Sequence, residues 1–303
     1  MREEEIIEFI KRRMVPQQTT VIAGPGDDTA VVSYNRKEYM LLTTDCVVED
    51  IHFTRKEASL YQIAKKAVAV NLSDIAAMGG IPLYALVSAG LPETFTRREI
   101  IQLINGLKYM ADKFHFDIVG GNLTRSEKLF IDISLTGKVE KQSLKKRSGA
   151  KPGDLIFVTG RLGGNRIKKH LSFTPRIKEA RKIIKEYSVT AMMDISDGLS
   201  TDLTRLAKAS NVGFKIYLDK IPLSQDAIKI GGNKGKAIQH ALNDGEDYEL
   251  LFTVSKHNRK KAPKSINGLL LSCIGEIVKE KKYTGISVDN KKTAIQAKGF
   301  SHF

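Results

Sequence analysis

The sequence predicts an α/β protein built from two domains, and three features carry that reading. Its 303 residues, 42% of them hydrophobic, suffice for two cores of about 150 residues each. Helical and strand patterns alternate through the first 138 residues, as an α/β unit requires. The polar stretch EKQSLKKRSGAKPGD (140–154) then breaks the periodicity. An N-terminal domain over 1–139 and a C-terminal domain over 150–303 are therefore expected.

The elements follow in order. MREEEIIEFIKRRM (1–14) sets Ile6, Ile7 and Ile10 on one side of a helix, and its charge is unlike that of a secretion signal. GPGDDTAVV (24–32) is a glycine turn with two adjacent acids before an apolar run. YMLLTTD (39–45) reads as a strand with a polar end. Residues 58–78 form a long helix with Ile63, Ala67, Val70 and Asp74 roughly on one face. LYALVSAG (83–90) is a short buried strand. TRREIIQLINGLKYMADKF (96–114) is a helix expected to turn Ile100, Ile104, Leu107 and Ala111 inward. FDIVGGN and LFIDISLTGKV continue as strands. After the break, DLIFVTG opens the second unit, followed by a helix from about 197 and strands in FKIYL, YELLFTV and LLSCIGEIV. No repeat of solenoid length occurs.

Several classes are excluded by composition. No apolar run of about 18 residues exists, so no membrane span is expected and a cytoplasmic protein is. The net charge is +15, but the lysine-rich stretches at 138–151, 256–264 and 279–282 carry no interleaved aromatics. That describes a basic surface with some attraction for small anions, and no nucleic-acid partner. Cys46 and Cys273 have no metal-site or redox spacing, and each is expected to be a buried thiol.

The chemistry lies in carboxylates at the edges of core elements: Asp27 and Asp28, Asp45 after Thr43 and Thr44, Asp74, Asp194 and Asp197, and Glu246 with Asp247. Gathering buried carboxylates is expensive unless cations are present. Magnesium fits, because it takes hard oxygen ligands through one or two carboxylates plus substrate phosphates. The glycine pairs, GGN at 120–122 included, would let backbone N–H groups approach phosphates, although neither common phosphate loop is present. Plainer readings stand beside these. Asp27 can simply order its turn, Asp197 can cap the helix after it, Glu246 can pair with a lysine, and His52 can be an ordinary core-edge histidine.

Taken in order, GDDTAV, TTDCVVEDIHF, KAVAVNLSDIAAMGG, IVGGN, RSGAKPGD, DISDGLSTDL and GEDYELLFTV resemble the thiamine-monophosphate kinase family from residue 24 to about 254, with a weaker echo in KGFSHF (298–303). The family belongs with the aminoimidazole ribonucleotide synthetase-like ATP-binding proteins. The resemblance implies two α/β domains, with the N-terminal sheets of a homodimer building a barrel-like core. It implies ATP and several Mg2+ ions in a groove, with thiamine monophosphate as the second small-molecule substrate. The implied reaction is direct in-line transfer of the γ-phosphoryl group to the acceptor phosphate, giving thiamine diphosphate and ADP, with no side-chain nucleophile.

The same resemblance assigns roles. Asp28, Asp45, Asp74 and Asp197 would be magnesium carboxylates, with Thr43 and Thr44 as further oxygen contacts and Asp194 as a ligand from the second domain. Gly121, Arg147 and Ser196 would contact the nucleotide. His52 and Glu246 would line the thiamine-phosphate pocket, with Phe300 near the thiamine rings. The chain departs from the pattern at GGNLT (120–124), where Asn122 replaces a carboxylate expected to hold magnesium but can still offer its carbonyl. It departs also at Asp50 and in RLGGNRIKKH (161–170). Two alternatives stay open: a related enzyme with another acceptor, of the aminoimidazole ribonucleotide synthetase kind, or a non-catalytic nucleotide-binding homologue. Selenophosphate synthetase and the hydrogenase-maturation protein are not expected, since the first cysteine is Cys46 and the sequence ends in Phe303 rather than a cysteine tail.

Overall fold

The computed structural model describes residues 3–164, 169–257 and 264–300. Parts of RLGGNRIKKH, of the 256–264 lysine stretch and of KGFSHF lie outside the described residues. The first half comprises α1 (Glu3–Arg13), β1 (Val21–Ala23), β2 (Ala30–Ser33), β3 (Glu38–Val48), α2 (Leu60–Ala77), β4 (Ile81–Leu91), α3 (Arg97–Phe114), β5 (Asp117–Arg125) and β6 (Phe130–Glu140). Its strands form one open sheet in the order β1-β2-β3-β6-β4-β5. All its pairings are antiparallel except β4 with β5, which α3 joins as a crossover.

The second half comprises β7 (Leu155–Thr159), α4 (Ile177–Glu186), β8 (Val189–Asp194), α5 (Leu199–Ala209), β9 (Gly213–Tyr217), α6 (Gln225–Gly231), α7 (Lys234–Asn243), β10 (Leu250–Val254), β11 (Ser265–Ile266), β12 (Leu269–Val278), β13 (Tyr283–Ile286) and β14 (Lys292–Ala294). Its sheet runs β14-β13-β9-β12-β7-β10-β8, with β11 paired to β12. Every residue of β7 and β10 is buried, so these strands form its centre. The fold is thus the expected two-part α/β architecture. Among the described residues no helix is long and apolar enough to cross a membrane.

Helix α2 joins the two halves. A capping box at Ser59 and Gln62 starts it, each side chain accepting from the other's backbone N–H. It is apolar on nearly all sides and packs against β3 and β6 on one side, α4 and β8 on the other. One hydrophobic core therefore spans from Ile63 and Leu72 to Phe157 and Phe252. A polar side chain in such a helix must find its partners inside the protein.

Two expectations need correction. Helix α3 buries Leu103, Gly106 and Met110, while Ile104 is 54% exposed. The cause is Gly106, where an added Cβ would lie 2.5 Å from the Tyr61 carbonyl oxygen of α2. That close approach sets the rotation of α3 and turns Ile104 outward. Cys46 is exposed, not buried, and Cys273 is intermediate. Strand β3 alternates, so with Thr43, Asp45 and Val47 facing α2, Cys46 faces the other way.

Candidate active site

A cleft of about 940 Å³ lies where the 24–29 turn, β3, α2 and the 194–197 and 244–248 turns meet. Asp28, Thr43, Thr44, Asp45, Asp74, Arg147, Asp194, Ser196 and Asp197 line it, as do His52, Glu246 and Phe300. Segments from both halves thus supply its walls.

Its floor is acidic. Asp28, Asp74 and Asp194 each offer a carboxylate oxygen within 4.8 Å of the others. Asp74 accepts a 2.5 Å hydrogen bond from Thr43 Oγ1, and Asp194 accepts one of 2.6 Å from Ser73 Oγ. Burial pushes the Asp74 carboxyl well above its ordinary range, reinforced by Asp45, Asp194 and Asp28. Burial and then the Asp28 charge do the same to Asp194. Asp45 is pushed up to about 6, by burial and then by its acidic neighbours Asp132 and Asp197.

The two acids of the opening motif divide their work. Asp27 Oδ1 accepts from the backbone N–H groups of Asp28 (3.3 Å) and Arg147 (3.0 Å), so it orders the turn. Asp28 Oδ1 accepts from Arg147 Nε at 3.1 Å and Nη2 at 2.6 Å. Among the described residues, Asp28 Oδ2 is buried with no hydrogen-bond partner. A buried carboxylate oxygen left unpaired beside two other carboxylates is the arrangement a bound cation satisfies. The donor set is all oxygen, which suits magnesium.

Other predicted residues fall less simply. Thr44 Oγ1 points to the opposite face of β3, bonding Asp132 Oδ1 at 3.1 Å and Ser134 Oγ at 3.3 Å, so only Thr43 reaches the acidic floor with its side chain. Asp197 pairs with Arg205 and does not cap α5. Asp202 Oδ2 instead accepts from the N–H groups of Asp197 (3.0 Å) and Gly198 (3.1 Å). Phe300 is held at the rim by its backbone N–H on the Asp197 carbonyl at 3.0 Å. Sequence reasoning missed Asp132, Asp202 and Arg205. Asp202 and Arg205 carried a local signal, since they share one face of α5 at i,i+3 spacing; Asp132 carried none.

At the other end of the cleft, Val48 N–H donates to His52 Nδ1 at 3.1 Å, which leaves the proton of a neutral His52 on Nε2. Glu246 has a left-handed backbone (φ 53°) and pairs with Lys66, the ion pair that its bland reading anticipated. Behind it, the rings of Tyr248 and Phe173 stack at 4.2 Å.

Gly121 and Asn122 are not brought to the cleft within one chain. They sit on β5, the exposed edge strand. The register Cys46–Asp132–Ser88–Asn122 crosses three strand spacings, about 14 Å. Gly121 is required where it stands, because a Cβ there would lie 1.8 Å from the Val87 carbonyl oxygen.

Residues 26–139 match the model of the AIR synthase related protein, N-terminal domain, and residues 159–288 match that of its C-terminal domain. The chain is 36% identical to thiamine-monophosphate kinase of Aquifex aeolicus, over 98% of this chain and 97% of that protein. The chain belongs to the thiamine-monophosphate kinase family. The kinase of Bacillus subtilis is 32% identical over the whole of both chains. The solved structure of AaThiL complexed with AMPPCP and TMP superposes with a TM-score of 0.85 at 34% identity, over 100% of this chain and 97% of that one. Thiamine-monophosphate kinases are thus similar to this chain across both halves, including the segments that build the acidic floor.

Proposed function

We propose that this protein transfers the γ-phosphoryl group of ATP to thiamine monophosphate, giving thiamine diphosphate and ADP. The observation that carries this reading is the trio Asp28, Asp74 and Asp194 on the floor of a cleft that both halves build. It is supported by the family and by the binding of AMPPCP and TMP in AaThiL. The acceptor is already an oxyanion, so no strong general base is needed. The task is to align two anionic phosphates and cancel their repulsion.

Asp28, Asp45, Asp74 and Asp194 are the residues that would hold magnesium, with Asp197 and Thr43 beside them. When bound, the metal supplies the charge that offsets the meeting phosphates. Arg147 and Ser196 then face the nucleotide, while His52, Glu246 and Phe300 form the acceptor end. A chain that consumes ATP works where ATP is abundant, which favours the cytoplasm. The division into domains at about 140–150 follows the irregular segment between β6 and β7.

The protein acts as a homodimer in this reading. The sheet face opposite α2 exposes Leu42, Tyr84 and Leu86, and β5, the last strand of the sheet, exposes Ile118, Val119 and Leu123. Such an edge is a template for pairing. A second copy there would also give Gly121 and Asn122 a route to a cleft. Sedimentation should return a mass near twice 33.7 kDa; a mass of one chain contradicts the dimer.

The decisive assay incubates the protein with ATP, thiamine monophosphate and Mg2+ and measures thiamine diphosphate. Its formation is expected. Turnover of an aminoimidazole precursor instead, or of neither acceptor, contradicts the reading. The acidic floor also predicts a pH effect. Carboxyls raised in the fold bind more protons than in the unfolded chain, so their contribution to stability falls as pH rises from the unfolded value of 3.8 through about 6 at Asp45. A cation reverses this by requiring the charged form. At saturating Mg2+ the melting temperature should rise on the order of 5 °C at pH 7.5 and much less at pH 5.5. Equal gains at both pH values contradict it.

A further inference from the structure

Lys66 lies in the middle of α2, and its side chain is 0% exposed. A lysine is rarely buried, because an unpaired ammonium in a core is costly. Here each of the three ammonium donors has an acceptor. Nζ donates to the His52 carbonyl oxygen at 2.8 Å, contacts His170 Nδ1 at 2.8 Å and pairs with Glu246 Oε1. His170 Nδ1 therefore acts as an acceptor, and burial together with the Lys66 charge favours its neutral form. His170 Nδ1 also lies 3.4 Å from Glu246 Oε2. A neutral ring already accepting from Lys66 at that nitrogen cannot donate from it to Glu246.

The four groups come from separate places in the chain. Lys66 and His52 belong to the first half, His170 and Glu246 to the second. His52 and Glu246 line the cleft, while Lys66 does not; it stands directly behind both. The Glu246 backbone is in the left-handed region at φ 53°, and its N–H donates to the Ser196 carbonyl at 2.5 Å. The backbone is thus set by the 196 turn, and the carboxylate is aimed by Lys66.

We infer that Lys66 is the positioning residue of the acceptor end, fixing the Glu246 carboxylate and the His52 segment from behind so that the two halves present one thiamine-phosphate pocket. The inference rests on the acceptor reading given above. Glu246 is suited to the N–H donors or the cationic ring of the acceptor, and Lys66 acts through it without touching substrate. ATP, held by the acidic floor and Arg147, does not depend on this contact.

The test is a double-mutant cycle with Lys66→Met, Glu246→Gln and the double variant. Lys66→Met should raise KM for thiamine monophosphate about 10-fold while KM for ATP stays within about twofold. The double variant should be worse than Glu246→Gln alone by less than the full Lys66→Met effect, because the part of that effect carried through Glu246 is already lost and only the contact to the His52 carbonyl remains to be removed. An unchanged KM for thiamine monophosphate in a folded Lys66→Met protein overturns the inference. So does a double variant whose defect is the product of the two single ones, or a rise shared equally by both substrates. If Lys66→Met does not fold, His170→Leu removes one acceptor from the same ammonium, and it should shift KM for thiamine monophosphate alone; no shift overturns the inference. Calorimetric binding of thiamine monophosphate separates this from the function itself. Binding weakened by the substitution in a chain without turnover contradicts the kinase reading and not the positioning role, whereas equal binding by the unaltered and Lys66→Met chains contradicts the positioning role.

Discussion

Asp74→Asn should abolish magnesium-dependent turnover, lowering kcat by about 10²-fold to 10³-fold or more, the scale seen when one charge-stabilising contact is lost at a reacting centre. The substitution keeps the shape of the side chain. Thr43 Oγ1, now 2.5 Å from Asp74 Oδ2, can still donate to the amide oxygen. The fold should therefore survive. Without metal it should be as stable as the unaltered chain or more so, because one member of a crowded acidic group is gone. The Mg2+-induced rise in melting temperature should shrink along with activity. That pairing separates the loss of a ligand from simple damage to the core. Near-normal turnover with an unchanged magnesium response contradicts the role given to Asp74.

Arg147→Ala should be the most destabilising change at the cleft. Arg147 places two donors on Asp28 Oδ1, at 3.1 and 2.6 Å, and the Asp28 side chain is fully buried. Removing the guanidinium leaves that carboxylate without its main counter-charge, although Arg205 still acts on it from further away. Breaking a buried pair this way costs about 3–5 kcal/mol, which lowers the melting temperature of a chain this size by roughly 10 °C. The loss should be largest at neutral and alkaline pH in the absence of metal. It should shrink at low pH, where Asp28 is protonated, and with Mg2+, which supplies another positive charge. KM for ATP should rise in the same variant. Thermal melts with and without Mg2+ at pH 5.5 and 7.5 check the first claim, and initial rates check the second. A variant as stable as the unaltered chain under all four conditions contradicts the assignment.

The parts of this site that were legible in the sequence are those written within a few residues. GPGDDTAVV shows an acid-bearing glycine turn, and an aspartate in NLSDIAAMGG stands out because its surroundings are apolar and small. Strand parity carried more than was drawn from it: if Thr43 and Asp45 face the core, Thr44 and Cys46 face away. What stayed hidden depends on contacts between distant segments. Lys66 meets Glu246 across 180 positions, and Thr44 meets Asp132 across 88. No local pattern announces either pair. Helix α3 went astray for a similar reason, since its rotation is set by how closely Gly106 approaches α2 rather than by its own apolar spacing. Asn122 is legible as a departure from the family, yet its place on an edge strand shows that one chain alone does not bring it to the carboxylates.

The most direct measurement of the central claim is calorimetric titration of Mg–ATP into the unaltered chain and into a variant with Asp28, Asp45 and Asp74 all changed to asparagine, each also titrated with metal-free ATP. The buried acids and the nucleotide's phosphates are joined here through divalent cations, so strong binding is predicted only for the unaltered chain with Mg2+. Equal affinity in the triple variant without metal would contradict it.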